Sequence, residues 1–266
     1  MKNISRLVAT MSVAGALGLC VTAPAGAQSR TTDSGWQFEL TPYLWLPALK
    51  GDSAIGNLPQ VNFNLSTSDV LDALDFGAMG AFEARKDRWG LFFDVVYSKI
   101  SFGGGGSASL RGGPGISVNA DLDIKNTIAS AAVLYRAIEG RSPVDLFLGV
   151  RYNDVDLDAT VSANFFGVLG ITGSPNYSKN WWDPYIGVRV THPVAERWTL
   201  VGYADYGGFS VGSKATWQFI GGVKYDFSKT ISGNLGYRYL HIDYDNDGFL
   251  YDVDYKGAYL GVSIKF

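Results

Sequence analysis

The chain ends in the stretch Gly257-Ala-Tyr-Leu-Gly-Val-Ser-Ile-Lys-Phe266, where Ala258, Leu260, Val262, Ile264 and Phe266 fall on every second position. A period of two places alternate side chains on opposite faces of a β-strand. The other face carries Gly257, Tyr259, Gly261, Ser263 and Lys265. An edge strand in water is blunted by charge or proline. This strand keeps one apolar face to its last residue, so that face calls for a lipid solvent, and its polar edges call for closure into a barrel.

The same alternation recurs upstream. Trp36, Phe38, Leu40, Pro42, Leu44 and Leu46 share one face, with Gln37, Glu39, Thr41, Tyr43 and Trp45 on the other. Phe76, Ala78, Gly80, Phe82 and Ala84 alternate with Met79, Ala81, Glu83 and Arg85, and Leu91, Phe93, Val95 and Tyr97 with Phe92, Asp94, Val96 and Ser98. Further alternating runs cover about 119–136, 144–158, 177–191, 196–208, 214–227, 231–245 and 250–266. Such lengths suit tilted membrane strands with extensions.

Composition narrows the class. Residues 1–27 carry Lys2 and Arg6, an apolar run from Leu7 to about Val21, and the small-residue site Ala25-Gly26-Ala27. This is the pattern of an export signal, leaving 28–266 as the mature barrel domain. Cys20 falls within the signal, so neither a disulfide nor a thiolate metal site is expected after it. The chain has 22 basic and 25 acidic residues, net −3; without the two bases of the signal the balance is 20 − 25 = −5. That disfavours a nucleic-acid partner. No later stretch is apolar enough for a membrane helix, whereas 33 Gly, 15 Tyr, 15 Phe and 7 Trp fit a membrane β-barrel.

Connections alternate in length. Short ones read KDRW, EGRSP, HPVAER and SKTIS; long ones span about 49–75, 103–118 and 159–176. Outer-membrane barrels have short periplasmic turns and longer outer loops. Counting back from a periplasmic C-terminus gives an all-β, antiparallel, up-and-down transmembrane barrel of about ten strands, with eight or twelve as alternatives. Within the first long connection, Val61, Phe63 and Leu65 alternate as a strand-like extension. The following Ser-Thr-Ser-Asp-Val-Leu-Asp-Ala-Leu reads as a helical turn capped by Ser68 or Asp69, with Val70, Leu71 and Leu74 on its apolar side. This segment is expected to fold over the barrel or tuck into its mouth. The Gly-rich 103–115 stretch reads as a flexible loop without the pattern of a phosphate cradle.

Charge concentrates on the faces opposite the apolar ones: Glu39, Glu83, Arg85, Asp94, Arg136, Asp145, Arg151, Arg189, Asp205, Lys224, Asp226 and Arg238. Charge facing lipid costs roughly 2–4 kcal/mol for Arg or Lys at the midplane. These groups are therefore expected inside, as ion pairs across a closed or narrow lumen. A lipocalin-like soluble barrel would reverse the faces. Trp36, Trp89 and Trp198 are expected in a periplasmic girdle, and Trp181, Trp182, Tyr206 and Tyr244 in an outer one.

The ending Gly261-x-x-Ile264-x-Phe266 resembles the C-terminal signal by which bacterial outer-membrane proteins are recognised for barrel assembly. The stretches LTPYLWLPAL, SDVLDALDFGAMGAFEARKDRWGLFFDVVY and YRYLHIDYDNDGFLYDVDYKGAYLGVSIKF resemble a group of Gram-negative outer-membrane barrels of largely unassigned function, with porin-like and opacity-type barrels sharing the plan. The resemblance implies outer-membrane lipid and the assembly machinery as partners, small solutes as cargo and no cofactor. Two local patterns invite chemistry. His241, Asp243 and Asp245 alternate near the outer rim, similar to the His and carboxylates of omptin-type proteases; no partner completes them, and His192 lies in a periplasmic turn. Asp243, Asp245, Asp247 and Gly248, with Asp254 twelfth, match calcium-loop spacing, yet Asn-Asp-Gly between aromatic strands is also a hairpin turn. The expected function is a structural or narrow porin-like barrel without catalysis; the alternatives are a rim enzyme acting on lipid or peptide, and a surface adhesin.

Overall fold

The computed structural model describes residues 35–56, 60–109, 115–165, 169–174 and 176–266. The export signal lies outside the described residues. The strands are β1 (Trp36–Ile55), β2 (Val61–Leu65), β3 (Leu74–Lys86), β4 (Trp89–Ser109), β5 (Gly115–Ile138) and β6 (Val144–Phe165). They continue as β7 (Leu169–Gly173), β8 (Asn176–Ala195), β9 (Trp198–Gly207), β10 (Ala215–Asp226), β11 (Ile231–Asn246) and β12 (Phe249–Lys265). One helix, α1 (Thr67–Ala73), separates β2 from β3.

Ten of these strands form an antiparallel ring in which β1 pairs with both β3 and β12. β2 and β7 are accessory, pairing with the upper parts of β1 and β6. Closure leaves the terminal strand without a free edge: β12 pairs with β1 from Lys265 opposite Glu39 to Phe249 opposite Ile55. The last residue continues this ladder, Phe266 and Phe38 exchanging both backbone hydrogen bonds.

The two faces divide by chemistry. Leu44, Leu148, Ile186, Phe219, Leu235 and Leu260 are exposed on the outside, while Arg85, Asp94, Asp145, Arg151, Asp205 and Arg238 are buried. The soluble-barrel alternative, with apolar residues inside, is thereby overturned. Trp36, Trp89 and Trp198 are exposed at one end, and Trp182 and Tyr206 at the other. Trp181 and Tyr244 depart from the expected outer girdle. They face inward and stack at 4.2 Å, because each is one residue out of phase with the lipid-facing set.

The end carrying the short turns and both described termini is the periplasmic end of such a barrel. At the outer end, β4, β5 and β6 extend far past the girdle. Gly103–Ser109 pair residue by residue with Asp121–Gly115, so most of the glycine run is strand rather than loop. Glycine alone disfavours a strand, but the β5 ladder supplies the pairing. The β11–β12 turn places Asp247 and Gly248 at φ 52° and 74°, the paired positive angles of a type I′ hairpin.

The wall has one irregular seam. β1 and β3 pair only from Trp36–Lys86 to Pro42–Gly80. Above that, Leu74–Met79 do not pair with β1, and α1 lies against β1. The Trp45 N–H that would join a ladder donates to Met79 Sδ at 3.1 Å. Two residues on, Pro47 has no N–H to leave unpaired. The helix is capped by Ser66, not by Ser68 or Asp69. Ser66 Oγ accepts from the Asp69 N–H at 3.2 Å, and the Asp69 carboxylate accepts from the Ser66 N–H at 2.8 Å, a reciprocal box. Val70 is buried, whereas Leu71 is exposed and Leu74 belongs to β3.

Candidate functional site

The inward positions form two storeys. The outer storey is apolar. Trp45, Ile128, Val155, Leu240, Ile242, Val253 and Tyr255 meet there in one buried cluster, joined by Val70 of α1. Trp181, Tyr244, Phe249 and Tyr251 complete it through ring contacts of 4.2–6.3 Å. In-phase alternation continues each strand's inward face upward while its composition changes from charged to aromatic.

The periplasmic storey is polar and hollow. A cavity of about 820 Å³ runs from Gln37, Glu39 and Lys265 at its mouth to Tyr43, Arg151, Tyr185 and Arg238 at its ceiling. Its wall holds a five-membered ionic network. Arg136 near the end of β5 and Arg189 on β8 are cross-strand neighbours of Asp145 at the start of β6. Their guanidiniums lie 2.9 and 2.8 Å from its carboxylate. Across the lumen, β3 contributes Glu83 and Arg85, two residues apart and so on the same face. Arg85 reaches Glu83 at 2.9 Å and Asp145 at 3.0 Å, and Arg189 reaches Glu83 at 2.7 Å. Burial penalises each charge, and these short bonds offset that penalty.

At the ceiling, Arg151 pairs with Asp205 at 2.8 Å and donates to Thr216 Oγ1 at 2.9 Å. Arg238 pairs with Asp94 at 3.1 Å, donates to Tyr43 Oη at 2.8 Å and to Gln218 Oε1 at 2.7 Å, and lies 4.7 Å over the Trp45 ring. Nearer the mouth, Lys224 pairs with Glu39 at 2.7 Å, and Asp226 accepts from Ser232 Oγ at 2.6 Å. The twelve charged residues singled out in the sequence thus occupy one compartment and its immediate wall. Tyr43, Thr216 and Gln218 join them as neutral bridges. Their in-phase positions were readable, but their specific partners depend on strands far apart in sequence.

A second network escaped the sequence reading. The buried Asp183 carboxylate accepts from the Ser213 N–H at 2.6 Å, Ser213 Oγ at 2.8 Å, Asn153 Nδ2 at 2.8 Å and Trp181 Nε1 at 3.2 Å. It ties the 208–214 turn to the barrel wall. The available signal was phase: Asp183 alternates with the lipid-facing Trp182 and Pro184.

The outer-rim residues sit on the outside of the wall. His241 Nδ1 lies 2.8 Å from Asp254 Oδ1, to which Tyr239 Oη also donates at 2.5 Å. Asp245 pairs with Lys214 and Asp247 with Lys179, both at 2.7 Å. Asp245, Asp247 and Asp254 therefore turn to separate partners, and no group of three or more metal-binding side chains converges among the described residues. The terminal motif divides by phase: Ile264 and Phe266 face outward, and Gly261 faces inward beneath Tyr43.

A closed ten-stranded antiparallel wall with an apolar exterior and a charged interior defines the architecture of Gram-negative outer-membrane β-barrel proteins. No protein-family model matches the chain, and no curated protein matches it in sequence. Among solved structures, the outer membrane protease OmpT from Escherichia coli is similar, with a TM-score of 0.55 and 12% identity over 88% of this chain and 98% of that one. The attachment invasion locus protein Ail of Yersinia pestis matches with a TM-score of 0.34 and 12% identity, over 87% of this chain and 99% of that one. The P. putida toluene transporter TodX gives 0.33 and 12%, over 87% and 90%. At 12% identity the likeness to OmpT is one of fold.

Proposed function

We propose that this barrel is a narrow, gated outer-membrane pore for small solutes and carries no catalytic activity. The observation that supports this is the two-storey lumen: a charged cavity open to the periplasmic side beneath a largely apolar layer, beside which the buried Asp183 carboxylate is engaged by Ser213, Asn153 and Trp181. Hydrophobic constrictions hold pores shut by excluding water, and polar substitution wets them. In this reading the aromatic storey is the gate and the ionic storey the vestibule. The charged vestibule groups are held against the wall by short ion pairs, an arrangement suited to lining a path. The histidine–carboxylate contacts at the rim, His241 with Asp254 and Asp252, lie on the outer face of the wall, outside the lumen.

Single-channel recording in planar bilayers tests this. The wild-type protein is expected to show rare, small steps, and Leu240→Ser or Val253→Ser, at fully buried positions of the gate, to raise the open fraction. Absence of steps from the wild type and from both variants, with the barrels folded, refutes the pore.

A further inference from the structure

The vestibule network is electrically unfinished. Arg85, Arg136 and Arg189 share only two carboxylates, Glu83 and Asp145. Elsewhere in the compartment Lys224 is matched by Glu39, Arg238 by Asp94 and Arg151 by Asp205. The five-membered cluster therefore carries a local excess of one positive charge in the wall of a confined cavity, where water screens it poorly, while Asp226, the remaining carboxylate of the compartment, is bonded to Ser232 nearer the mouth. Arg136 is the most exposed of the three guanidiniums and pairs with Asp145 alone. A planar guanidinium matches a carboxylate or phosphate through paired hydrogen bonds.

Beside this charge stands an aromatic wall. Phe147 meets Phe92 and Tyr203 edge-on at 5.6 and 5.2 Å, and the Arg189 guanidinium lies 5.2 Å over the Phe147 ring. Phe92 and Tyr203 are half-buried and line the cavity with Arg136 and Arg189. A further ring fits the same edge-to-face pattern. A volume of about 820 Å³ is within the ordinary range for a small-molecule site.

We propose that the vestibule binds small aromatic carboxylates from the periplasmic side, the carboxylate on Arg136 and Arg189 and the ring against Phe92 and Tyr203. This names the solute class of the compartment and rests on its being the functional one. It does not require that the gate conduct.

Isothermal titration of the full mature barrel in detergent at low salt, with benzoate as probe, reads this directly. Saturable one-to-one binding is expected, at least about tenfold tighter than for acetate, benzyl alcohol or inorganic phosphate, since each lacks the ring, the charge or the planar form. Arg136→Gln is expected to weaken benzoate at least about tenfold, the scale of a lost charge-assisted pair, while Arg136→Lys retains part of the affinity. Lys214→Gln removes a cation at the outer rim and is expected to leave binding unchanged. Phe92→Leu is expected to weaken benzoate and spare acetate. No benzoate heat, equal affinity for acetate, preference for phosphate, or equal loss in the Arg136 and Lys214 variants each overturns the proposal. Benzoate binding by a barrel that never conducts removes the pore and leaves this site standing. Conductance without benzoate binding does the reverse.

Discussion

Replacing Arg151 by Met is the most informative single test of how the interior is held. The Arg151 side chain is sealed within the barrel, 1% exposed against 0% for its partner Asp205, at 2.8 Å. At an effective dielectric of about 20 that separation corresponds to roughly 6 kcal/mol of attraction, before the desolvation of both ions is subtracted. Arg151 also donates to Thr216 Oγ1, and its guanidinium lies 5.1 Å over the Tyr185 ring. With the arginine gone, Asp205 keeps the Gln218 Nε2 bond at 3.0 Å but has no cation. Breaking one side of a buried pair costs about 3–5 kcal/mol, because the surviving charge is stranded. The double variant Arg151→Met/Asp205→Leu removes that stranded charge and is expected to regain most of the loss. Reversible urea unfolding in phospholipid vesicles, followed by tryptophan fluorescence, measures all three proteins. A single-variant loss below about 1 kcal/mol, or a double variant no better than the single, refutes the claim that stranded charge dominates.

Four other outcomes follow from the same structure. Asp183→Ala removes the acceptor shared by Ser213, Asn153 and Trp181; a loss of about 3 kcal/mol is expected, with new tryptic cleavage after Lys214 as the direct readout. Met79→Leu deprives the Trp45 N–H of its thioether acceptor at the seam, and about 1 kcal/mol of destabilisation in urea is expected. The hydrogen bonds from the Ser66 hydroxyl and N–H hold the Asp69 carboxyl below the ordinary aspartate range. Because the folded value is the depressed one, its contribution is complete above the unfolded pKa and fades as pH falls through the folded one; faster amide exchange at Val70 and Leu71 below about pH 4, with β-strand amides unaffected, checks it. Calcium added to chelator-treated protein is expected to leave thermal unfolding unchanged, since Asp245 and Asp247 are engaged by Lys214 and Lys179; a saturable rise in melting temperature contradicts that expectation.

The barrel was readable because its two solvents write opposite instructions on alternate residues. Leu260 and Val262 had to face lipid, so Tyr259, Gly261 and Ser263 had to face inward. The same phase carried Glu83 and Arg85 into the lumen together. Connection length then gave ten strands, because each short turn had to lie at the same end. What the alternation could not supply was pairing across the lumen: Arg85 reaches Asp145 sixty residues away, and nothing local distinguishes that partner from Asp94 or Asp205. The misassignment of Trp181 and Tyr244 has the same root. An aromatic residue suits both a headgroup girdle and an apolar lumen, and only its phase decides. The glycine run of β4 failed for the opposite reason, since residues without side chains leave no phase to read, and their order comes from β5.

The seam between β1 and β3 bears on how the closed sheet breathes. Its hydrogen-bonded rungs stop at Pro42 and Gly80, whereas the join between the first and last strands runs the height of the wall. The easiest place to part such a cylinder is thus beside α1, and not where the two ends of the chain meet. Deuterium entering the backbone of the folded protein should advance first at those amides of Tyr43–Ala48 that point to the seam and away from β12 (Pro47 has none), long before it reaches the strand that completes the circle.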